Sequence, residues 1–332
     1  MIITRTPYRV SLFGGGSDFP NWYLNNLGKV ISFTINKYCY ISARELPPFF
    51  EHDYRVSYSK VETAKKIDDI RHPAFREIIR KYGRGRKYEI HHHGDLPAKS
   101  GVGSSSAFAV GLINALSKFE EKNLTWPAIA NAAIEMEQKI LQEIVGSQDQ
   151  IACAVGGINE ISFGPGTEWV NRSITLPDTT VQEIENSAVL IFSGIQRFSS
   201  KISEHLLINL NKSSQYLERN VELVDECIKV LESGKSLIEI GNLLNESWRI
   251  KRAINRMSTN SFIDDFFDKA MKCGAVGGKI LGAGGGGFCL FWVDPNNRER
   301  FLRDFDLGVE VPFRIDFQGT TCVLNSDLTL RK

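Results

Sequence analysis

The chain is predicted to fold as two α+β domains, 1–180 and 181–332, and three observations carry that expectation. Strand-like and helix-like segments interleave through the amino-terminal half. A second strand-and-helix series begins near Val181 and has a long helical region at its centre. The 332 residues, 42% of them hydrophobic and 24% charged, suffice to bury ample core in two domains.

In the first half, Ile2–Phe13, Lys29–Arg44 and Lys87–His93 read as strands, and Pro73–Tyr82, Ser105–Phe119 and Trp126–Gln142 as helices. In the second, Ala188–Phe192 is a strand. The helical region Ser199–Ile250 follows, with Ile202, Leu206, Leu210 and then Val221, Val224, Ile228 and Leu231 at helical spacing; those stripes read as core. Helix Phe262–Lys272, two strands around a glycine cluster, helix Asn297–Phe305 and strands Val309–Asp316 and Thr320–Leu324 complete the domain. No internal repeat or low-complexity tract interrupts the series.

A net charge of +1 gives no electrostatic reason to expect nucleic acid or a membrane surface as partner. The start, MIITRTPYRV, lacks a signal-peptide apolar run and no segment reaches membrane-spanning length, so a cytoplasmic protein is expected. The six cysteines form neither CxxC pairs nor a zinc pattern and read as reduced core residues. His91, His92 and His93 fall on a strand, where at most two can share a face, and read as structural.

Three segments carry chemistry. Leu96 to Ala107, LPAKSGVGSSSA, puts Gly101 and Gly103 and the hydroxyls of Ser104, Ser105 and Ser106 directly ahead of a helix stripe of Phe108, Leu112, Ala115, Leu116 and Phe119. Glycines let backbone N–H groups turn inward, and a helix start adds free donors and a positive dipole end, which suits phosphate. It is not a Walker A loop, because Lys99 precedes the glycines; a flexible linker is the competing reading. Lys279 to Phe288, KILGAGGGGF, matches GxGxxG at Gly282, Gly284 and Gly287, but a strand rather than a helix follows it. Taken alone it could be a structural hairpin; paired with the first loop, close backbone approach to a charged ligand is the better account. Thr6 to Pro20, TPYRVSLFGGGSDFP, sets Arg9 among apolar strand residues ahead of three glycines, Ser17 and Asp18, as a ligand pocket would need.

Two acids add to these. Ala130, Ala133, Ile134, Glu137 and Leu141 share a helix face, so Glu137 projects from the apolar side whereas Glu135 and Glu143 do not. A carboxylate there needs a partner, either a salt bridge or a metal. Asp149, in GSQDQ ahead of a short helical stretch, could serve as a helix cap.

Taken in order, PYRVSLFGGGSD, PAKSGVGSSSA and GAGGGGF resemble the three motifs of the GHMP small-molecule kinases, named for galactokinase, homoserine kinase, mevalonate kinase and phosphomevalonate kinase. The chain departs from that pattern at Ser11, at Gly15 and Gly16 in place of Glu-His, and at Val102 in place of Leu. The resemblance implies an amino-terminal domain like ribosomal protein S5 domain 2, a ferredoxin-like carboxy-terminal domain, and an active site between them. It further implies ATP held by Lys99, Gly101, Val102, Gly103, Ser104, Ser105, Ser106 and Ala107, with Mg2+ on Ser105 and Glu137. Asp149 would stand beside the acceptor hydroxyl with Arg9 as its basic partner, and Gly15, Gly16, Ser17, Asp18, Gly284, Gly285 and Gly286 would contact substrate.

Within the family, GGGSDFP, GGKILGAGGGGF, SWRIKRAI (Ser247 to Ile254) and the pair Ile263–Asp264 look like the bacterial heptose 7-phosphate kinases, which act on an anomeric hydroxyl. Fucose kinase domains share several of these traits, and another sugar kinase of the family, such as a galactose kinase, is the alternative. A phosphorylated sugar requires cations far from the reacting end, for which Arg197 and Lys201, in SGIQRFSSK at the start of a helix, are the candidates. The implied partner is a small sugar or sugar phosphate, and the protein is expected as monomer or homodimer. Two readings from other classes share the fold: a non-catalytic sugar sensor and an ATP-using decarboxylase.

Overall fold

The computed structural model describes residues 1–120, 123–195, 199–210 and 213–326. Strand β1 (Ile2–Phe13) runs antiparallel to the long β2 (Gly28–Glu45), with helix α1 (Pro20–Tyr23) between them. Then come β3 (Tyr54–Ser57), β4 (Val61–Ala64), helix α2 (Pro73–Tyr82) and β5 (Tyr88–Gly94). Pro73 opens α2, the His72 ring accepts from the Phe75 N–H, and Phe75, Ile78 and Ile79 form its buried stripe. Helices α3 (Ser104–Lys118), α4 (Trp126–Ile134) and α5 (Gln148–Val155) precede β6 (Ile158–Gly164) and β7 (Thr167–Ser173). The far edge of β2 is divided: Gly28–Phe33 pairs with β6, and Cys39–Glu45 with β5. Helix α3 packs on β1 and β2 and is buried around most of its circumference, so its apolar residues cannot be confined to one stripe.

Helix α6 (Asp178–Ser187) leads to β8 (Ala188–Phe192), and helices α7 (Ser199–Leu210), α8 (Ser214–Glu232), α9 (Glu239–Ile254) and α10 (Ser261–Lys272) follow. Strands β9 (Ala275–Ile280) and β10 (Phe288–Val293), helix α11 (Arg298–Asp304) and β11 (Val309–Glu310) close an antiparallel sheet in the order β11-β8-β10-β9. That strand–helix–strand–strand–helix–strand arrangement is ferredoxin-like. Helix α8 packs on β1 and β2 and α9 on β9, so the main core runs from one sheet to the other. A separate cluster of Phe266, Phe267, Phe291, Phe301 and Phe305 backs the second sheet.

The helical region Ser199–Ile250 is made of three helices. Several other expectations need correction. Val309–Asp316 forms strand only at Val309–Glu310, apart from an isolated bridge between Ile35 and Ile315. The last strand, β12 (Thr321–Asn325), pairs with the edge of β1, so the chain does not divide cleanly at Val181. Of the cysteines, Cys39, Cys153, Cys227 and Cys289 are buried, whereas Cys273 and Cys322 are half-exposed. His91 and His93 stack on one face while His92 points to the other, as expected of a strand. Among the described residues no helix is long and apolar enough to cross a membrane.

Candidate active site

The two glycine loops interlock. A Cβ on Gly101 would lie 2.6 Å from the Leu281 carbonyl oxygen, and one on Gly282 would lie 2.5 Å from the Gly101 Cα. The Phe288 N–H donates to Ser100 O across the same seam, at 2.9 Å. Gly282 and Gly287 are therefore required by backbone-to-backbone packing between the domains, a cause distinct from both the hairpin and the ligand readings. A cavity of about 600 Å³ opens beside this seam, within the range of small-molecule sites.

Arg9, on β1, reaches into that cavity and is almost fully buried. Its Nε and Nη2 donate to the two carboxylate oxygens of Asp149, each at 2.7 Å, and its Nη1 donates to Gly101 O at 2.8 Å. Asp149 lies in the first turn of α5 behind the cap position, Ser147, so the helix-cap alternative fails. The bidentate geometry compensates the acid's charge and fixes its direction. Gly103, at φ +74°, caps α3 and lies against this pair; a Cβ there would stand 3.3 Å from Arg9 Cγ and from Asp149 Oδ2. No side chain caps the start of α3, which leaves its first N–H groups and its dipole facing the cavity.

Lys99, Gly101, Gly103, Ser104, Ser105 and Ser106 line the cavity, whereas Val102 and Ala107 are core residues. Gly15, Gly16, Asp18, Gly284 and Gly286 also line it. Ser17 does not: its hydroxyl donates to Gly14 O at 2.8 Å and closes the turn. Gly285 is likewise engaged by Ser258, its N–H donating to Ser258 O at 2.7 Å. Asp18 pins two loops together, accepting from Gly16 N at 2.9 Å and Gln148 Nε2 at 3.1 Å. Burial, and then the nearby Asp149, push its carboxyl above the usual range. Arg197 lies outside the described residues, as does the side chain of Lys201.

Glu137 is 1% exposed. The helix expected over Trp126–Gln142 is α-helical only to Ile134, after which Glu135–Ile140 widens into a π turn, with Leu141 N donating to Met136 O at 2.8 Å. Such turns are frequent at functional sites. Glu137 accepts hydrogen bonds from Ser105 Oγ, from Ser106 Oγ at 2.7 Å and from Gln150 Nε2. Its partners are neutral donors, so neither a salt bridge nor a metal is required to explain its burial. Because burial outweighs those donors, the carboxyl is pushed up to about 7. Glu143 was expected to point elsewhere; it lies beyond the helix end, lines the cavity, and accepts from Ser105 Oγ at 3.4 Å. Burial raises its carboxyl too.

Sequence analysis missed Lys251, Lys279, Gln148 and Glu143, all on the cavity wall. For Lys251 a signal existed: it shares a face of α9 with Leu244, Ser247 and Ile254, an apolar stripe in which a lysine stands out.

Family models place the GHMP kinase N-terminal domain at residues 68–157 and the GHMP kinase C-terminal domain at 221–307. The chain is 29% identical over 313 residues to the D-glycero-alpha-D-manno-heptose 7-phosphate kinase of Campylobacter jejuni, covering 91% of this chain and 92% of that protein. It is 24% identical to the bifunctional fucokinase/GDP-fucose pyrophosphorylase of Arabidopsis thaliana, spanning 90% of this chain but only 30% of that much longer protein. Among solved structures, a D-glycero-D-manno-heptose 1-phosphate kinase from Bacteroides thetaiotaomicron superposes with a TM-score of 0.80 at 24% identity, covering 98% of this chain and 99% of that one. With both family models matched in order and the fold shared end to end, the chain belongs to the GHMP kinases, enzymes that transfer phosphate from ATP to a hydroxyl.

Proposed function

We propose that this enzyme transfers the γ-phosphoryl group of ATP to the anomeric hydroxyl of a heptose 7-phosphate, giving the 1,7-bisphosphate and ADP. The Arg9–Asp149 pair, held against Gly103 at the uncapped start of α3, is the observation that carries the reading. ATP phosphates lie along Gly101 to Ser106 and on the N–H groups of α3. Asp149 accepts a hydrogen bond from the acceptor hydroxyl and takes or directs its proton as the new P–O bond forms and the bridging bond to ADP breaks. Arg9 holds Asp149 aimed through both carboxylate oxygens. The joint presence of Ser105, Glu137 and Asp149 also disfavours the sensor reading.

For magnesium, the residues fit. Ser105 Oγ lies between the Glu137 and Glu143 carboxylates, an all-oxygen set suited to a hard cation, and Glu137 has no cationic partner among the described residues. When bound there, the ion would neutralise charge on the ATP phosphates. Ser105 and Glu137 would hold it.

The heptose assignment is supported by the Campylobacter jejuni relative, matched over nearly its whole length. The test is a panel of free and phosphorylated heptoses and hexoses with ATP and Mg2+, the products read by phosphorus NMR. A new anomeric phosphate, formed with the highest kcat/KM on heptose 7-phosphate, is expected. Preference for an unphosphorylated sugar would overturn the substrate and leave a general sugar kinase; carbon dioxide release would instead mark a decarboxylase.

A further inference from the structure

The catalytic cavity has two charged walls. Arg9 and Asp149 form one, from β1 and α5; the other comes from the second domain. Lys279 on β9 and Lys251 on α9 both line the cavity. Lys279 is 5% exposed, while Lys251 is half-buried as a residue with its ammonium enclosed. Lys279 Nζ donates to Leu12 O at 2.7 Å and weakly to Ser247 Oγ at 3.4 Å. Lys251 Nζ donates to Ile280 O at 3.0 Å and to Gly282 O. An ammonium has three protons, so each lysine keeps donor capacity beyond these neutral acceptors.

Neither lysine has a carboxylate within ion-pair distance among the described residues. The charge that acts on both is Arg9, a third cation, which engages both oxygens of Asp149. The cavity wall carries these three cations and Lys99 together with the acids Asp18, Glu143, Asp149 and Glu204, and among the described residues none of those acids forms an ion pair with Lys251 or Lys279. Burial, then repulsion among these cations, lowers both lysines, Lys279 to about 7. On the same wall the Ser258 hydroxyl is buried without a partner, beside Gly284. Such an arrangement is unfavourable when empty and favourable around an anion.

We propose that Lys251 and Lys279 are the phosphoryl-binding cations of the second domain, completing with Arg9 a cage for a tetrahedral oxyanion. This rests on the kinase reading above. The oxyanion is the phosphoryl group in transit, because the lysines are coupled to Arg9 at the reacting end of the site. As the bond from phosphorus to the ADP oxygen breaks and the bond to the acceptor oxygen forms, the lysines keep their protons and neutralise the equatorial oxygens, while the acceptor proton leaves through Asp149.

Three measurements test this. In Lys251→Met and Lys279→Met, which keep the stem volume, affinity for a non-hydrolysable ATP analogue should fall about 10- to 100-fold with ADP affinity nearly unchanged. A role confined to bracing β9 and the glycine turn would lower Tm without separating those two ligands, and would overturn the proposal. Unchanged nucleotide affinities with a raised KM for sugar phosphate, but not for free sugar, would overturn the transferred-group assignment in favour of the acceptor's own phosphate. Should either variant fail to fold, the wild-type enzyme remains decisive: calorimetry in buffers of differing ionisation enthalpy should show net proton uptake at pH 8 on binding the ATP analogue, and less on binding ADP. Equal uptake for both ligands would sink the proposal. A wild type that binds the analogue this way yet phosphorylates no sugar would count against the kinase reading instead.

Discussion

Glu137 and Asp149 sit on neighbouring elements, Asp149 on the cavity wall and Glu137 buried against Ser105 and Ser106, and the protein accommodates the two acids by opposite means. Asp149 faces a guanidinium that matches its charge and geometry, whereas Glu137 faces two serine hydroxyls and a glutamine amide. The first arrangement compensates a negative charge within the protein. The second leaves that charge without a cation, so burial pushes the carboxyl up to about 7, and an added cation would have most to gain there. One acid is equipped to act on a hydroxyl; the other is equipped to receive an ion.

The largest expected effect breaks the compensated side. Asp149→Asn preserves shape but removes the charge, so turnover should fall by roughly two orders of magnitude or more while ATP affinity stays nearly constant. Steady-state kinetics beside direct ATP binding would check it, and near-normal turnover would remove Asp149 from the mechanism. Gly103→Val attacks the same pair from outside. Its φ of +74° suits few side chains, and its Cβ would crowd Arg9 and Asp149 at 3.3 Å. With strain of about 1–3 kcal/mol placed at the phosphate site, ATP affinity should drop about tenfold or more in a protein that still folds. Calorimetry showing wild-type affinity would contradict this.

The uncompensated side makes a pH prediction. The folded Glu137 carboxyl lies near 7 against an ordinary value of 4.5, so between those limits the folded chain binds more protons than the unfolded one. Its favourable contribution is complete below pH 4.5 and is lost as pH rises through about 7, amounting to about 3 kcal/mol at most. Ligand-free wild type should therefore lose stability relative to Glu137→Gln across that window, read as the difference between their melting temperatures. Lys279 titrates in a different window. Its lowered value makes its contribution grow as pH rises above about 7, so the two groups can be separated. A difference that is flat with pH would show that neutral donors hold Glu137 ionised. In assays, Glu137→Gln should also raise the Mg2+ concentration needed for half-maximal rate by roughly tenfold.

How much of this was legible in the sequence depended on how local the cause is. Pro73–Tyr82 is readable because its cap, its proline and its stripe of Phe75, Ile78 and Ile79 all lie within ten residues. The pairing of β12 with β1 is not, because nothing in Thr321–Asn325 says which sheet it joins. Glu137 could be placed on an apolar face by spacing alone, but the π turn that sets it against Ser106, and the bend that brings Glu143 back to Ser105, have no periodic signature. The glycines after Lys279 were visible as a cluster. Their fit against Gly101 and Ser100 required both domains in place. Arg197 and Lys201, chosen as cations for a distal phosphate, lie beyond what the described side chains can address, while Lys251 and Lys279 emerge only where α9 and β9 meet β1.

The smallest expected effect sharpens the comparison most. Glu135 is two residues from Glu137, carries the same side chain, and begins the same π turn. Its carboxylate turns outward to an ion pair with Lys81 at 2.6 Å, and both partners are substantially exposed. Pairs of that kind contribute about 0–1 kcal/mol, since water screens the charges and two long side chains must be ordered. Glu135→Gln should therefore leave turnover, Mg2+ requirement and the pH profile of stability within error of wild type, with any loss in Tm small. The same chemical change at Glu137 should move all three. If both variants shift the Mg2+ requirement alike, the effect belongs to total negative charge near the phosphate loop rather than to the buried position. If neither does, Glu137 is a structural acceptor for Ser105, Ser106 and Gln150, and the ion must be held elsewhere.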